Sequence, residues 1–412
     1  MTTLNCERVA KEYQEPELEA VETVCRRALD LQPEDDCTIE LFSDELLYTL
    51  HLVVIPSRQQ SLLLRTPLPL GETIEDIAIL DWVRHCTDIP VPHVIAFDQT
   101  ANNEIGFGWR LMPFIASKRA DKVWDEMSVT AKEAFTKQVA EFQAQLLDAS
   151  ETKSRLLGQL VSCRLTKADY YKYDVPWEPF YPSRGWIESN LRNTMSKVGS
   201  GYFCTQDGTI ERQLHTAELL LDLLPTVFPA IDQHERTAIY QSKFSLQNIL
   251  VDEEGAITAI LGWGYASGIP CHYATEVLPL FLTEPIHVDM DQAEARAGHR
   301  PFSEDQMEHE QTHLRKIYME HMGELRPTWD AEVASSTLKN DFIRAAALIY
   351  TEDFISPIDT WTRAIKNGEN VKLDDVLDTW RQQQSSHRDA NSEGKYCSSQ
   401  DSDYSSSSEW GF

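Results

Sequence analysis

One short segment has residue types and spacing that could perform metal chemistry. His309-Glu310-Gln311-Thr312-His313 matches the H-E-x-x-H pattern, in which two histidines bind zinc and the glutamate acts as a base. On a helix the two histidines would share one face, as two ligands of one ion must. However, Glu308 and the pair Arg315-Lys316 make the surroundings highly charged, and the only candidates for a third ligand are Glu324 and Glu332. Zinc hydrolysis therefore stays an alternative to the function derived below.

The remaining composition excludes several classes of protein. The eight cysteines stand singly, at positions 6, 25, 37, 86, 163, 204, 271 and 397, so neither a zinc ribbon nor a thioredoxin-like pair is predicted. The formal net charge of −29 argues against nucleic acid as a partner, because such binding depends on lysine and arginine. No stretch approaches the ~20 consecutive apolar residues that span a bilayer, and no secretory or transit signal is recognised. We therefore expect a cytoplasmic protein without a membrane span.

The elements that must position a site begin with a β-rich region, which we place at residues 37–115. An acidic, partly helical extension over residues 1–36 precedes it. Between two pairs of strands, the capping box that starts at Thr73 is followed by apolar residues at helical spacing, which predicts a helix. The predicted strands are Leu47–Ile55, Ser61–Arg65, Val94–Phe97 and Ile105–Leu111. This region therefore predicts a small β-rich lobe with one helix.

The pattern from residue 116 to 383 is mainly helical. A second capping box, Thr130-x-x-Glu133, predicts one helix start, and a strand-like island over residues 240–265 predicts a hairpin. Other predicted helices cover residues 213–224, 303–322 and 333–350. The serine-rich and acidic segment 384–412 cannot bury enough apolar area to become ordered, so we expect a disordered tail. The fold class predicted is α+β, with a small β-rich lobe followed by a larger helical one.

Two stretches of the sequence carry a family resemblance. The first contains LLLRTPLP (residues 62–69), ILDWVR (79–84), IPVPHVIAFD (89–98) and IGFGWRLM (105–112). The second is FSLQNILVD (244–252) followed by ITAILGW (257–263). In this order they resemble the fungal branch of the aminoglycoside phosphotransferase family, over roughly residues 40 to 380. The resemblance implies a bilobal protein-kinase-like fold, with ATP and Mg²⁺ as cofactors of phosphoryl transfer.

The catalytic positions implied by the resemblance are only partly filled. The family places its base and one metal ligand in an H-x-D-x-x-x-x-N loop, which reads QSKFSLQN here, from Gln241 to Asn248. The ligand Asn248 is present, but Lys243 replaces the base, and Gly262 replaces the second ligand, an aspartate in front of Trp263. A lysine with its usual pKa of about 10.4 is a poor base, and Mg²⁺ prefers carboxylates to a lone amide. Catalysis and Mg²⁺ binding are therefore expected to be impaired.

The nucleotide-binding positions are better kept. The resemblance gives Arg65 a phosphate contact, places Asp76 near the acid that would pair with it, and adds Met112 to the nucleotide site. Arg65 and Asp76 have plainer alternatives: Arg65 as a surface residue of a strand, and Asp76 as a cap of its own helix. The loop Ser43-Asp44-Glu45-Leu46 lacks the glycines that would cover phosphates, and Lys243 has the alternative of a solvated loop residue.

Three functions follow from these residues. The first is a pseudokinase, a binding or regulatory protein on a kinase-like fold, with ATP as its cofactor. The second is an active ATP-dependent phosphotransferase on a small hydroxyl or amine substrate, with acids recruited from elsewhere, such as Asp252, Glu253 or Glu254. The third is zinc hydrolysis. The sequence names neither a substrate nor a protein partner.

Overall fold

An antiparallel sheet with the strand order β1-β2-β3-β5-β4 forms the N-terminal part of the fold. The computed structural model describes residues 16–44, 48–67, 75–153, 183–199, 208–230, 235–241, 244–263, 266–283 and 304–392. The strands are β1 Thr38–Asp44, β2 Tyr48–Ile55, β3 Gln60–Pro67, β4 Ala96–Asp98, β5 Trp109–Pro113, β6 Lys118–Arg119, β7 Thr237–Gln241, β8 Ile249–Val251, β9 Ile257–Ile260 and β10 Ala266–Pro270.

Helices dominate the rest of the described chain, so the mixed α+β class is confirmed. They are α1 Leu18–Ala28, α2 Glu75–Cys86, α3 Ala120–Val123, α4 Val129–Lys153, α5 Ser183–Gly199, α6 Thr209–Val227, α7 Cys271–Glu276, α8 Glu304–Leu325, α9 Trp329–Leu348, α10 Glu352–Lys366 and α11 Leu373–Ser392. No described helix combines the length and the apolar character that crossing a membrane requires.

One face of the N-terminal sheet is packed against α1. Strand β2 alternates buried and half-buried residues, as a strand with one covered face should. Its Val53 and Ile55 join Val21, Val24 and Cys25 of α1 in a single hydrophobic cluster. The predicted acidic extension therefore contains, from Leu18 onwards, a helix that completes the core of the sheet.

The described residues form two compact units. The first takes those within Met1–Ala149, Gln241–Ala266 and Leu278–Arg326, and the second those within Ser150–Tyr240, Ser267–Val277 and Pro327–Phe412. In the first unit, Trp124, Phe135 and Phe281 meet edge to face, with ring centroids 5.3 to 5.7 Å apart. A second sheet of order β6-β8-β9 also belongs to this unit.

Apolar residues of five helices build the core of the second unit. Among the described residues of this core, Leu191, Leu220, Phe342, Trp361 and Leu373 are fully buried. These residues lie on α5, α6, α9, α10 and α11 in turn. Only α6 and α9 were predicted as helices, from the patterns at 213–224 and 333–350, and both extend beyond the predicted bounds at their N-terminal ends.

Several predicted boundaries are wrong. The second predicted strand pair is shorter, because residues 105–108 form a loop around Asn103, whose carboxamide oxygen accepts hydrogen bonds from the backbone of Ile105 and Gly106. Helix α4 begins before Thr130, and its capping oxygen is the Ser128 hydroxyl, which accepts from Ala131 N at 3.2 Å.

Helix α11 continues to Ser392 and so overlaps the start of the predicted tail, whose disorder stays a prediction. Residues 393–412 of the predicted tail lie outside the described residues.

Candidate functional site

The predicted hairpin exists, and its turn is built by an aspartate. Strands β8 and β9 pair with Ile249 opposite Ile260, and their apolar side chains are buried. At the other end, the Asp252 carboxylate accepts hydrogen bonds from the backbone N–H groups of Glu254 (3.1 Å) and Ala256 (2.8 Å). Within the predicted hairpin, a 3₁₀ turn, Leu246–Asn248, precedes the first strand, and only Ile249–Val251 is extended. The acids of this turn are exposed and lie at the far end of the hairpin from Asn248.

Asn248 and Gly262 are brought into direct contact. Gly262 has a φ of +78°, and a Cβ atom added to it would lie 2.9 Å from Cγ of Asn248 and 3.0 Å from both its oxygen and its nitrogen. Real Cβ atoms almost never come within 3.0 Å of another heavy atom. The Asn248 side chain therefore fills the space that a side chain at position 262 would need.

Backbone and side-chain hydrogen bonds hold this contact in place. Leu261 N donates to the Asn248 carbonyl oxygen at 2.7 Å. The Leu261 carbonyl oxygen in turn accepts from the side-chain amide of Gln241 at 2.9 Å, and Gln241 is buried. Sequence reasoning treated Gln241 only as a lost histidine. The side chains of glutamine and histidine both carry an N–H donor, and this shared property could have indicated the role of Gln241.

The hairpin is also tied to neighbouring elements of the first unit. Ile260 N donates to the carbonyl oxygen of Pro90 at 2.8 Å, and Ile257 N donates to the Gln138 side chain on α4 at 3.1 Å. Trp263 is buried and donates from its indole to the Ile260 carbonyl at 2.9 Å. These hydrogen bonds hold the hairpin in place, and Asn248 and Gly262 with it.

Arg65 lies on the face of the N-terminal sheet that is opposite α1. Its guanidinium carbon is 3.9 Å from the centroid of the Tyr48 ring, a cation–π contact that fixes the side chain. Directly across the ladder from Arg65 is Arg110 of β5, and two pairs further along Met112 faces Leu63. The structure thus brings Arg65 and Met112 to one face and adds Arg110, which sequence reasoning missed.

Other predicted site residues are only partly described. Lys243 and residues 45 and 46 of the Ser43–Leu46 loop lie outside the described residues, as does Thr73 of the predicted capping box. Asp76 is the second residue of α2, and only its backbone is described. Its pairing with Arg65, and the base position of Lys243, stay predictions.

The H-E-x-x-H segment lies on α8, as predicted, but its glutamate has a structural role. Glu310 accepts from the buried ammonium of Lys132 at 2.7 Å and from the Trp124 indole at 3.2 Å. His313 is 2.7 Å from a carboxylate oxygen of Glu133. The motif therefore fastens α8 to residues in and before α4.

Metal-binding capacity can be judged from the donor atoms. Within the described residues, no group of three or more His, Cys, Asp or Glu side chains is placed to hold a metal ion. At the predicted Mg²⁺ position, Gly262 supplies no donor, and Asn248 supplies at most a neutral amide oxygen. Mg²⁺ in phosphoryl-transfer sites is usually held by carboxylates together with substrate phosphates. The residues present therefore do not fit a magnesium ion.

Comparison of the sequence with models of protein families gives a match over part of the chain. Residues 52–273 match the phosphotransferase enzyme family, which is more than half of the chain. No relative of similar sequence was found among the curated proteins.

Comparison with solved structures gives low identities and TM-scores below 0.5 for the three proteins described next. A Ralstonia eutropha protein, solved as a candidate aminoglycoside phosphotransferase, is 15% identical, covers 89% of this chain and 95% of its own, and has a TM-score of 0.47. A streptomycin–ATP complex of APH(2'')-IIa is 11% identical, with coverages of 82% and 91% and a TM-score of 0.43. A Plasmodium vivax ethanolamine kinase is 11% identical, with 91% of both chains covered and a TM-score of 0.43. At these identities and TM-scores the likenesses do not bear on a substrate.

Proposed function

The chain belongs to the phosphotransferase enzyme family, and from this premise we propose that it is a catalytically impaired member, a pseudokinase that binds a nucleotide. Phosphoryl transfer requires a residue that orients the nucleophile and metal ions that neutralise the developing charge on the phosphates. The aspartates that the family uses for these two roles are replaced by Lys243 and Gly262. The proposal is therefore a nucleotide-binding or regulatory protein without efficient turnover.

The observation that carries the proposal is the contact between Asn248 and Gly262. A missing aspartate could be replaced by a carboxylate from elsewhere if its space were empty. Here the Asn248 side chain fills that space, because a Cβ at position 262 would lie 2.9 Å from it. A carboxylate at position 262 would therefore fit only if the Asn248 side chain moved. Loss of a positioned base alone typically costs on the order of 10²–10⁴ in rate, before any loss of the metal.

Nucleotide binding rests on the sheet face that carries Arg65. A guanidinium group is permanently charged and matches the geometry of phosphate oxygens. Arg65 is held against Tyr48, so little conformational freedom remains to be lost on binding. ATP, or a nucleotide of similar charge, is therefore the ligand class that we assign to this face.

Thermal unfolding with and without metal tests this function. A ligand that binds only the folded state stabilises it by RT ln(1 + [L]/Kd), so ATP should raise the melting temperature. We expect the same rise in EDTA as in Mg²⁺, together with no release of phosphate above the uncatalysed rate. Robust ATP turnover that disappears in Asn248→Ala would overturn the proposal.

The two alternatives gain no support from the described residues. An active phosphotransferase that recruits acids from the hairpin would need Asp252 or its neighbours at the metal position. They lie at the opposite end of the hairpin, and Asp252 is engaged in the turn. Zinc hydrolysis would need Glu310 as its base, but that carboxylate is paired with the buried Lys132.

A further inference from the structure

A groove that opens to solvent lies between helix α2 and the segment 92–99, which contains β4. Its volume is about 810 Å³, which falls in the range of roughly 300–1,000 Å³ that small-molecule sites occupy. The whole groove belongs to the first compact unit. Arg65, Met112 and Asn248 do not line it, so it is separate from the residues to which nucleotide binding is assigned.

Apolar side chains form the floor of the groove. Leu80 and Pro92 are buried, and Ile77 and Val94 are half-buried. Phe97 also lines the groove, and it is 49% exposed to solvent. Apolar surface in contact with water is unfavourable, so an apolar ligand that covers it gains free energy in proportion to the area removed from water. The floor therefore provides affinity for an apolar body.

The positive charge at the edge of the groove comes from Arg84, in the last turn of α2. Its exposed side chain makes no hydrogen bond or ion pair with any part of the chain that the structure describes. The acid that lines the groove, Asp81, is engaged instead by His85, whose Nδ1 is 3.3 Å from the carboxylate. A guanidinium group is permanently charged and binds a carboxylate through two parallel hydrogen bonds. Arg84 is therefore available to bind an anion from outside the chain.

The length of the lining helix face sets the size of the ligand. Arg84 is the seventh residue after Ile77, which corresponds to about 10 Å along the axis of α2. A ligand whose acid group contacts Arg84 and whose body reaches Ile77 therefore has an apolar part of about 10 Å. A protein partner fits less well, because β4 is only three residues long and has little edge to which a strand could be added. Protein interfaces are also larger, at about 800 Å² per partner.

We propose that this groove binds a small monocarboxylate with an unbranched apolar body of about 10 Å. The carboxylate pairs with Arg84, and the body covers Phe97 and the rest of the floor. The site goes beyond the proposed nucleotide binding and does not depend on it. The net charge of −29 opposes such a ligand only weakly, because exposed charges more than about 8–10 Å away are largely screened at physiological ionic strength.

Ligand-observed NMR on the full chain, by saturation transfer, measures this binding with three probes. Octanoate has the acid and a body of matching length, octanamide has the same body without the charge, and acetate has the charge without the body. We expect octanoate to bind more tightly than octanamide by about ten- to a hundredfold, the usual effect of hydrogen bonds between charged groups. Acetate should give no signal at the concentration at which octanoate saturates. Equal affinities for octanoate and octanamide would overturn the proposal, and this comparison needs no variant.

Two substitutions with matched controls locate the site. Arg84→Met removes the cation and should weaken octanoate binding by about ten- to a hundredfold, while octanamide binding stays unchanged. Its control is Lys137→Met, which removes one exposed positive charge from α4 in the same compact unit and should bind as wild type does. Phe97→Ala removes part of the floor and should weaken octanoate and octanamide by the same factor. Its control is Ile95→Ala, at a side chain that is 38% exposed but does not line the groove, and it should weaken neither.

The helix itself gives Arg84 a plainer role, since a cation in the last turn is favoured by the helix dipole. That role alone predicts a lower urea midpoint for Arg84→Met with unchanged octanoate affinity, a result that would overturn the proposal. So would a wild type that does not bind octanoate, or binding that neither Arg84→Met nor Phe97→Ala weakens. Because no nucleotide is present in these titrations, their outcome leaves the proposed nucleotide binding to its own test.

Discussion

Replacing Gly262 with alanine should be unusually costly, because two separate effects act on the new methyl group. The first is the backbone: a non-glycine residue at φ +78° costs about 1–2 kcal/mol. Part of that is offset by about 0.4–1 kcal/mol, because alanine has less freedom than glycine in the unfolded chain. The second effect is the overlap at 2.9 Å with Asn248, which we treat as overpacking worth about 1–3 kcal/mol. Together they predict a loss of about 1–5 kcal/mol of unfolding free energy.

The chain offers a matched control for the backbone effect. Gly106 has the same φ of +78°, but a Cβ atom there would meet nothing within 4 Å. Gly106→Ala should therefore cost only about 1 kcal/mol. A second control is Gly255, where φ is +87° and the nearest atom is the mobile methyl end of Met127, so its cost should fall between the other two.

Urea unfolding, followed by both tryptophan fluorescence and far-UV circular dichroism, measures these differences. In an Asn248→Ala background the overlap is gone, so Gly262→Ala should then cost no more than Gly106→Ala. The expected coupling energy between positions 248 and 262 is about 1–3 kcal/mol, within the range of residues in contact. Equal costs for Gly262→Ala and Gly106→Ala in the wild-type background would refute the conclusion that Asn248 fills the site.

Three further predictions concern other described contacts. Glu310→Ala leaves the ammonium of the buried Lys132 without its carboxylate and should cost about 3–5 kcal/mol in urea unfolding; a loss below about 1 kcal/mol would contradict the buried ion pair. Asp252→Ala removes an acceptor of two backbone N–H groups and should cost about 1–2 kcal/mol, whereas alanine at its exposed neighbour Glu253 should be neutral; equal effects would count against the turn. Burial lowers the pKa of His272 from 6.5 to about 4, so the unfolded chain takes up a proton first and stability should fall as pH drops from 6.5 towards 4. The urea midpoint of His272→Gln should fall less between pH 7 and 4.5, and an identical fall would show that another group is responsible.

The strands most accurately predicted are those whose apolar residues form unbroken runs. Strands β2 and β3 match the predicted runs to within a residue or two, because both lie in the middle of a sheet with one covered face. Strand β1 was not resolved from its neighbour, since Glu40 and Asp44 interrupt the apolar pattern of this edge strand. Helix α5 was also missed, because its buried positions include serine, asparagine and lysine, which do not look apolar.

The candidate site was predicted in composition but not in geometry. Aligning the motif placed Asn248 and Gly262 at related positions, yet nothing in one-letter code indicates a positive φ or a side chain that fills its neighbour's space. Arg110 was overlooked for a similar reason. Its significance comes from being opposite Arg65, and strand register depends on pairings that are distant in sequence.

Helix α1 lies outside the segment that matches the family, although it completes the hydrophobic core of the N-terminal sheet. The family match starts at residue 52, inside β2, and ends at residue 273, inside α7. It omits α1 and β1, although α1 supplies three fully buried residues to the sheet's cluster. A recombinant fragment trimmed to the shared segment would expose an apolar sheet face and cut two elements in half. Anyone who expresses part of this chain should begin no later than Leu18.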